Sequence, residues 1–257
     1  MSDQFSDIDL KIDLNPPLPV ERPATLYLND EELVTLQTTP VALDDWAAGF
    51  LYGEGLIRSL AEVRRISVDE EHGIIWVDAP SVQASDHESR RQRYLTAGCG
   101  KGVTFSSLKD AMLLGPVVHG LTVSLSDLLA WVKEMQQHTP LYAETGGVHA
   151  AGLKNTASGE LIVREDIGRH NALDKAIGAA LRAGWNLSGC VAVTSGRISY
   201  EAAAKMARAA IGVGASLTAA TDQAVRLARH LNMDLIGYAR SPRHLCLYTE
   251  GKRILRR

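Results

Sequence analysis

The stretch Arg164-Glu165-Asp166-Ile167-Gly168-Arg169-His170-Asn171-Ala172-Leu173-Asp174-Lys175 joins an apolar strand signal at 161–163 to a helix signal at 171–182. Seven of its twelve residues are ionisable or histidine, crowded into the turn and the first helical turn. A solvated helix face would spread its charges at helical spacing instead. Backbone N–H groups at a helix start are free to meet an anion, so charge gathered there points to a ligand at a strand-to-helix junction. A capped helix with surface ion pairs accounts for the same residues without a ligand.

Outward from this junction the chain alternates. Strands are read at 148–153, 161–163, 190–194, 216–218, 234–237 and 245–248, with helices at 171–182, 200–211 and 222–230. This alternation predicts a mostly parallel sheet covered on both faces, which collects ligands at the carboxyl ends of its strands. Upstream, Ser126 is read as the cap of a helix whose Leu128, Leu129, Trp131, Val132 and Met135 form an apolar stripe. Nearer the start, 24–28 and 33–38 read as a hairpin around Asn29-Asp30. Pro40 then precedes a helix from Asp44 that presents Trp46, Phe50 and Leu51, and strands follow at 65–68 and 74–77. The expected fold is α/β: a flexible, proline-rich arm at 1–22, a smaller α+β domain at 23–122, and an α/β domain at 123–257.

Two further polar clusters fall at strand ends. Glu144-Thr145-Gly146-Gly147-Val148-His149-Ala150-Ala151 leads from a helix into a strand, and Thr194-Ser195-Gly196-Arg197-Ile198-Ser199-Tyr200-Glu201 does the reverse. Glycine lets backbone approach a ligand closely, and hydroxyls and guanidinium supply donors, as a nucleotide or phosphate crevice requires.

Composition narrows the class. With 46% hydrophobic and 22% charged residues the chain is an ordinary globular sequence, and a net charge of -3 gives no sign of nucleic-acid or membrane-surface binding. No apolar run approaches the ~20 residues of a membrane span, and the acidic start differs from a basic secretory leader, so a cytoplasmic location is expected.

Of the three cysteines, Cys190 and Cys246 sit in apolar strand-like runs and read as structural. Cys99 lies instead in Ala97-Gly98-Cys99-Gly100-Lys101-Gly102, after the wholly polar run Ser85 to Arg93, and a mobile loop is expected there. Such a loop leaves the sulfur accessible, and Lys101 would favour the thiolate. Zinc-type spacings of cysteine and histidine are absent, so no metal site is expected.

Several stretches resemble, in order and spacing, the FdhD family of sulfur carrier proteins that mature formate dehydrogenase. They are Thr39-Pro40, Gly49-Phe50-Leu51-Tyr52-Gly53-Glu54-Gly55-Leu56-Ile57, Cys99-Gly100, Thr145 to Ala151, Glu165 to Lys175, Ser195-Gly196-Arg197 and Gly237-Tyr238-Ala239-Arg240. The resemblance implies that the second domain is a cytidine-deaminase-like three-layer α/β/α sandwich. It also implies a sulfurtransferase in which Cys99 accepts persulfide sulfur from a cysteine desulfurase. The acceptor would be a molybdenum or tungsten bis-guanine-dinucleotide cofactor, destined for the catalytic subunit of formate dehydrogenase. A guanine nucleotide would mimic that cargo.

The positions that match the family's cofactor-binding stretches are Gly146, Gly147, His149, Asp166, Arg169, His170, Asn171, Asp174, Lys175, Ser195, Arg197, Tyr238, Ala239, Arg240, Ser241, Pro242 and Arg243. By their chemistry, Arg169, Arg197 and Lys175 suit phosphate, and Asp166 or Asp174 suits guanine or ribose. Two guanosine ends on one cofactor suggest a symmetric homodimer. The sequence departs from the usual Cys-Gly-x-Cys-Gly loop, because Gly102 holds the place of the second cysteine. Cys99 must then both receive and deliver sulfur. Two other readings stay open: a cofactor-binding chaperone without sulfur chemistry, and a hydrolase using Cys99 with His149 or His170 as base.

Overall fold

The computed structural model describes residues 15–82, 94–95, 103–104, 114–118, 120–249 and 252–255; Cys99 and its loop lie outside them, as do residues 1–14 of the arm. Strands β1 (Arg22–Leu28) and β2 (Glu31–Thr38) form the expected hairpin. Its two turn residues, Asn29 and Asp30, both have positive φ (50° and 65°), the backbone a two-residue hairpin needs to match strand twist. Helix α1 (Leu43–Gly53) follows, then β3 (Arg65–Asp69) and β4 (Ile74–Asp78). These strands make a four-stranded sheet in the order β2-β1-β4-β3. One face of it buries Leu26 and Ile75 against Trp46, Phe50 and Leu51 of α1. A two-residue antiparallel pair, β5 (Tyr94–Leu95) and β6 (Val103–Thr104), flanks the Cys99 segment in sequence.

The rest of the chain runs through β7 (Val123–Ser124), α2 (Leu125–Gln137), α3 (Pro140–Thr145), β8 (His149–Asn155), β9 (Leu161–Asp166), α4 (Arg169–Arg182) and β10 (Cys190–Thr194). It continues with α5 (Tyr200–Arg208), β11 (Val213–Ser216), α6 (Asp222–His230), β12 (Asp234–Gly237), β13 (Cys246–Leu247) and β14 (Ile254–Leu255). Six of these strands form a sheet ordered β13-β12-β11-β10-β8-β9. Side chains alternate across it. Val191 and Val193 face Leu128, Val132 and Met135 of α2 on one side, while Cys190 and Ala192 face α4, α5 and α6 on the other. The layers are therefore helix, sheet, helices.

The sheet is mixed, where a mostly parallel one was expected. Strands β10, β11 and β12 are parallel, but β8 and β9 form an antiparallel hairpin whose connection, residues 156–160, is too short for a parallel crossover, and β13 closes the far edge antiparallel. Three local readings also shift. Ser124, not Ser126, caps α2 by accepting the Asp127 N–H. The strand expected at 216–218 is Val213–Ser216. Helix α5 stops at Arg208, and Ala210 turns the chain with φ 55°.

Helices α1 and α4 join the two sheets at van der Waals distance. A Cβ added at Gly49 would lie 1.8 Å from the Asp174 carbonyl oxygen, and one at Gly178 would lie 1.9 Å from that of Asp45. Only glycine at both positions allows the backbones to touch.

Charges buried at this joint are paired. Asp166, fully buried, accepts from the Thr39 N–H at 3.0 Å, from the Thr38 hydroxyl, and from the Lys175 ammonium at 2.6 Å. Lys205 reaches Asp174 at 2.6 Å and Glu54 at 3.1 Å, its ammonium 5.2 Å from the centre of the Phe50 ring. Burial pushes the Asp174 carboxyl up to about 6 despite Lys205. Asp45 binds Arg164 at 2.8 Å and also Arg182.

Candidate functional site

The carboxyl ends of β10, β11 and β12, the start of β8 and the end of β9 share one edge of the six-stranded sheet: Thr194 pairs with Ala151, and His149 with Asp166. The polar clusters therefore converge there, because antiparallel pairing brings the beginning of β8 beside the ends of its neighbours. A cleft of about 400 Å³ opens at this edge, lined by Gly146, Gly147, His149 and Ala150 from the entry to β8, Ser195 after β10, Leu217 after β11 and Arg240 after β12. Such a cavity has room for one nucleotide-sized group. Met135, Gln136, Thr139 and Tyr142 form its wall from α2 and α3.

Hydrogen bonds fix this floor. The Ser195 Oγ accepts the Ala150 N–H at 2.9 Å and sits 3.3 Å from His149 Nδ1. The Thr194 Oγ1 accepts the Gly196 N–H at 3.2 Å, and the Ser216 hydroxyl donates to the Gly196 carbonyl at 2.7 Å. Gly196 leaves room for a neighbour: a Cβ there would lie 2.8 Å from the Cβ of Arg169. Arg169 thus lies against the loop that carries Ser195 and Arg197, on the same side of the sheet edge. Beside it, His170 Nε2 is 2.8 Å from the Ser199 hydroxyl and 4.0 Å from Glu201.

Burial, and after it Arg169, lowers the pKa of both imidazoles. Burial pushes His170 down to about 3, with Arg169, Lys205 and His149 adding to the effect. His149 is also lowered, by burial first and then by Arg169, against the opposing pull of Asp166. Both rings are neutral at pH 7, and the guanidinium of Arg169 is the cation beside them.

The sequence-derived residues separate into two sets. Gly146, Gly147, His149, Ser195 and Arg240 line the cleft, with Arg169 and His170 behind its floor. Arg197 is exposed just beyond Ser195. Tyr238 is 45% exposed with φ 52°, at the turn that continues through Ser241, Pro242 and Arg243 on the surface, while Ala239 is buried against the α2 side of the sheet.

Asp166, Asn171, Asp174 and Lys175 face inward. Each is under 8% exposed, and their partners are the chain's own: Asn171 bonds Asp166 and the Gln37 carbonyl, and Lys175 also donates to the Thr39 carbonyl. Glu165 likewise turns away to accept the N–H groups of Leu141 and Tyr142 at the start of α3. Tyr142, 53% exposed, escaped the sequence reading. Thr139-Pro140 carries the signal for it, since proline in the first helical turn starts a helix and sets Tyr142 at the mouth.

Among the described residues no cluster of three or more His, Cys, Asp or Glu side chains could hold a metal ion. No described helix is long and apolar enough to cross a membrane. Cys190 is buried, and burial pushes its thiol up to about 11. Cys246 is half-buried in β13.

Comparison with known proteins finds relatives over most of the chain. The family model described as the FdhD/NarQ family matches residues 19–255. The sulfur carrier protein FdhD of Bacillus subtilis (strain 168) is 37% identical over 234 residues, covering 91% of this chain and 88% of the relative. The protein of the same name from Listeria monocytogenes serovar 1/2a is 36% identical, covering 94% and 93%. A crystal structure from Desulfotalea psychrophila, described as a candidate formate dehydrogenase accessory protein, superposes with a TM-score of 0.74 at 26% identity, covering 93% of this chain and 90% of that one.

Proposed function

The chain belongs to the FdhD/NarQ family of sulfur carrier proteins, and from that premise we propose that Cys99 carries sulfur to a guanine-dinucleotide metal cofactor held at the sheet-edge cleft. The convergence of Gly147, His149, Ser195 and Arg240 around a nucleotide-sized cavity carries this reading. Backbone at Gly146, which has open space where a Cβ would stand, admits a phosphate closely, Arg240 and Arg197 meet its charge, and Tyr238 offers an aromatic face for a base. The domain that holds the cleft is read as a cytidine-deaminase-like sandwich.

In this scheme a cysteine desulfurase loads Cys99 as a persulfide. On delivery the S–S bond breaks, its electron pair stays on the Cys99 thiolate, and the acceptor supplies the pair for its new bond to sulfur. The molybdenum or tungsten centre is cargo on its way to formate dehydrogenase, the enzyme named for the Desulfotalea relative. Because one cleft has room for one nucleotide and the cofactor carries two guanosine ends, a homodimer offers a second, equivalent cleft. The cytoplasm, where a desulfurase and an unassembled dehydrogenase meet, is the site proposed for this work.

The chain on either side of the Cys99 segment is tied to both sheets. Asn29 of the β1–β2 hairpin holds the Ala79 and Val82 carbonyls, while the Val117 carbonyl accepts from Arg253 at 2.8 Å and its N–H donates to Leu231. The described residues that flank the carrier segment are thus held by the body of the protein.

Intact-protein mass spectrometry after incubation with a cysteine desulfurase and cysteine tests the scheme. Wild type should gain sulfur that a reductant removes, and Cys99→Ala should gain none. Equal loading of both would overturn Cys99 as carrier. GDP titration tests the cleft separately, with Arg240→Ala expected to weaken binding about tenfold, the worth of one charge-assisted hydrogen bond.

A further inference from the structure

We infer that Ser195 locks His149 in the tautomer with its proton on Nε2, so that the cleft offers its cargo an uncharged hydrogen-bond donor and no base. The Ser195 Oγ already accepts the Ala150 N–H at 2.9 Å. Its single hydroxyl proton needs an acceptor, and among the described residues the one within reach is His149 Nδ1, at 3.3 Å. An Nδ1 that accepts from a hydroxyl carries no hydrogen, so the neutral ring bears its proton on Nε2. That nitrogen bonds no described residue. It is also not shut off from solvent, and His149 lines the cleft.

The groups facing this ring keep it neutral. Arg169 from α4 repels a second positive charge, His170 is itself neutral, and Asp166 at the end of β9 spends its charge on Lys175 and the Thr38–Thr39 backbone. A second hydroxyl meets the neighbouring imidazole. Ser199 accepts the Ala202 N–H and sits 2.8 Å from His170 Nε2.

Two consequences follow for the reading of the cleft as a nucleotide site, on which the role assigned to the donor rests. A neutral Nε2–H suits a phosphoryl or carbonyl oxygen of the guanine dinucleotide, beside rather than in place of the guanidinium of Arg240. And His149 cannot deprotonate Cys99, because its only lone pair in the plane of the ring is turned to Ser195. His149 touches the cargo, and Ser195 acts through it as a positioning residue.

The test is a long-range ¹H–¹⁵N spectrum of the full chain labelled with ¹⁵N-histidine, recorded at pH 8, where the ring is neutral, with His149→Ala for assignment. His149 should show a protonated Nε2 and a bare Nδ1. Ser195→Ala should turn His149 into a mixture of tautomers and weaken GDP binding about threefold to tenfold, the range for one lost neutral hydrogen bond. Should that variant fail to fold, the wild-type spectrum alone decides the tautomer. A hydrogen on Nδ1 of His149 would overturn the inference whether or not GDP binds. An intact Nε2–H signal that GDP leaves unmoved would instead overturn the nucleotide reading of the cleft and leave the tautomer standing.

Discussion

Asp166→Ala should destabilise the protein heavily while removing no atom from the surface. The carboxylate is fully buried and collects the Lys175 ammonium at 2.6 Å, the N–H groups of Thr39 and Gly168, the Thr38 hydroxyl and the Asn171 amide. Truncation leaves Lys175, itself fully buried, with only the Thr39 carbonyl at 2.8 Å and the Glu165 carbonyl at 3.4 Å. Removing one partner of a buried ion pair costs about 3–5 kcal/mol, because the other charge is left uncompensated. At about 2–4 °C per kcal/mol for a chain of this size, the midpoint of thermal unfolding should fall by roughly 6–20 °C. Urea unfolding followed by tryptophan fluorescence gives the free energy directly, since Trp46 is buried beside the affected joint. The double variant Asp166→Ala with Lys175→Met should recover much of the loss, as apolar replacement of a whole buried pair is often near neutral. A single variant within 1 kcal/mol of wild type, or a double variant no better than the single, would refute the assignment of this pair to the joint between the sheets.

His170 gives a pH signature. Its folded pKa of about 3 lies below the unfolded value of 6.5, so the stability it contributes is present above pH 6.5 and drains away as the pH falls towards 3. Asp174, raised to about 6, acts in the opposite direction over part of that range, so the clean quantity is wild type minus His170→Gln, which should shrink by about 1.5 kcal/mol between pH 6.5 and 5; a flat difference contradicts the buried, neutral ring. Gly49→Ala should cost about 3 kcal/mol or more in urea unfolding, since its methyl group meets the Asp174 carbonyl and the helices must part; an unchanged midpoint would place the helices farther apart than the structure does. Cys190, inaccessible and raised to about 11, should resist iodoacetamide at pH 8 until the chain is unfolded, whereas half-buried Cys246 reacts in the native state. Native labelling of Cys190 at a comparable rate would argue against its place beneath α4.

Much of this was legible in the residues and some was not, for identifiable reasons. Period-2 and period-3.6 patterns placed the β1–β2 hairpin, α1, α4 and α6 within a few residues, because Asn29-Asp30, Pro40 and the alanine-rich stripe of α4 are local signals. Strand direction is not local. The antiparallel course of β8 and β9 is decided by a five-residue connection whose shortness was visible at 156–160 but was outweighed by the helix alternation that follows. The β11 strand was misplaced because Gly212-Val213-Gly214-Ala215 has Val213 as its single branched side chain among small residues, and the packing of Met206 and Leu235 against Gly214 explains why small residues serve there.

The charge-dense stretch shows most clearly what a sequence leaves unsaid. Its helix starts at Arg169, and on a helix residues three or four apart share a face, so Asn171, Asp174, Lys175 and Gly178 turn together toward α1. Arg169 and His170, one step round the axis, turn toward Ser195 and the cleft. Charge density alone could not separate the two faces, because neither is apolar: on the inward one Lys175 pairs with Asp166, whose further donors Thr38 and Thr39 lie more than a hundred residues away, and Asp174 pairs with Lys205, which it shares with the distant Glu54. The same helix thus clamps the four-stranded sheet with one face and shapes the ligand edge with the other. Loosening the inward pairs should therefore disturb the cleft through the register of α4, and the GDP affinity of Asp166→Ala, measured at a temperature where the variant remains folded, reads that coupling. A loss of affinity at full folding would tie the joint to the site; unchanged affinity would make the inward pairs a matter of stability alone.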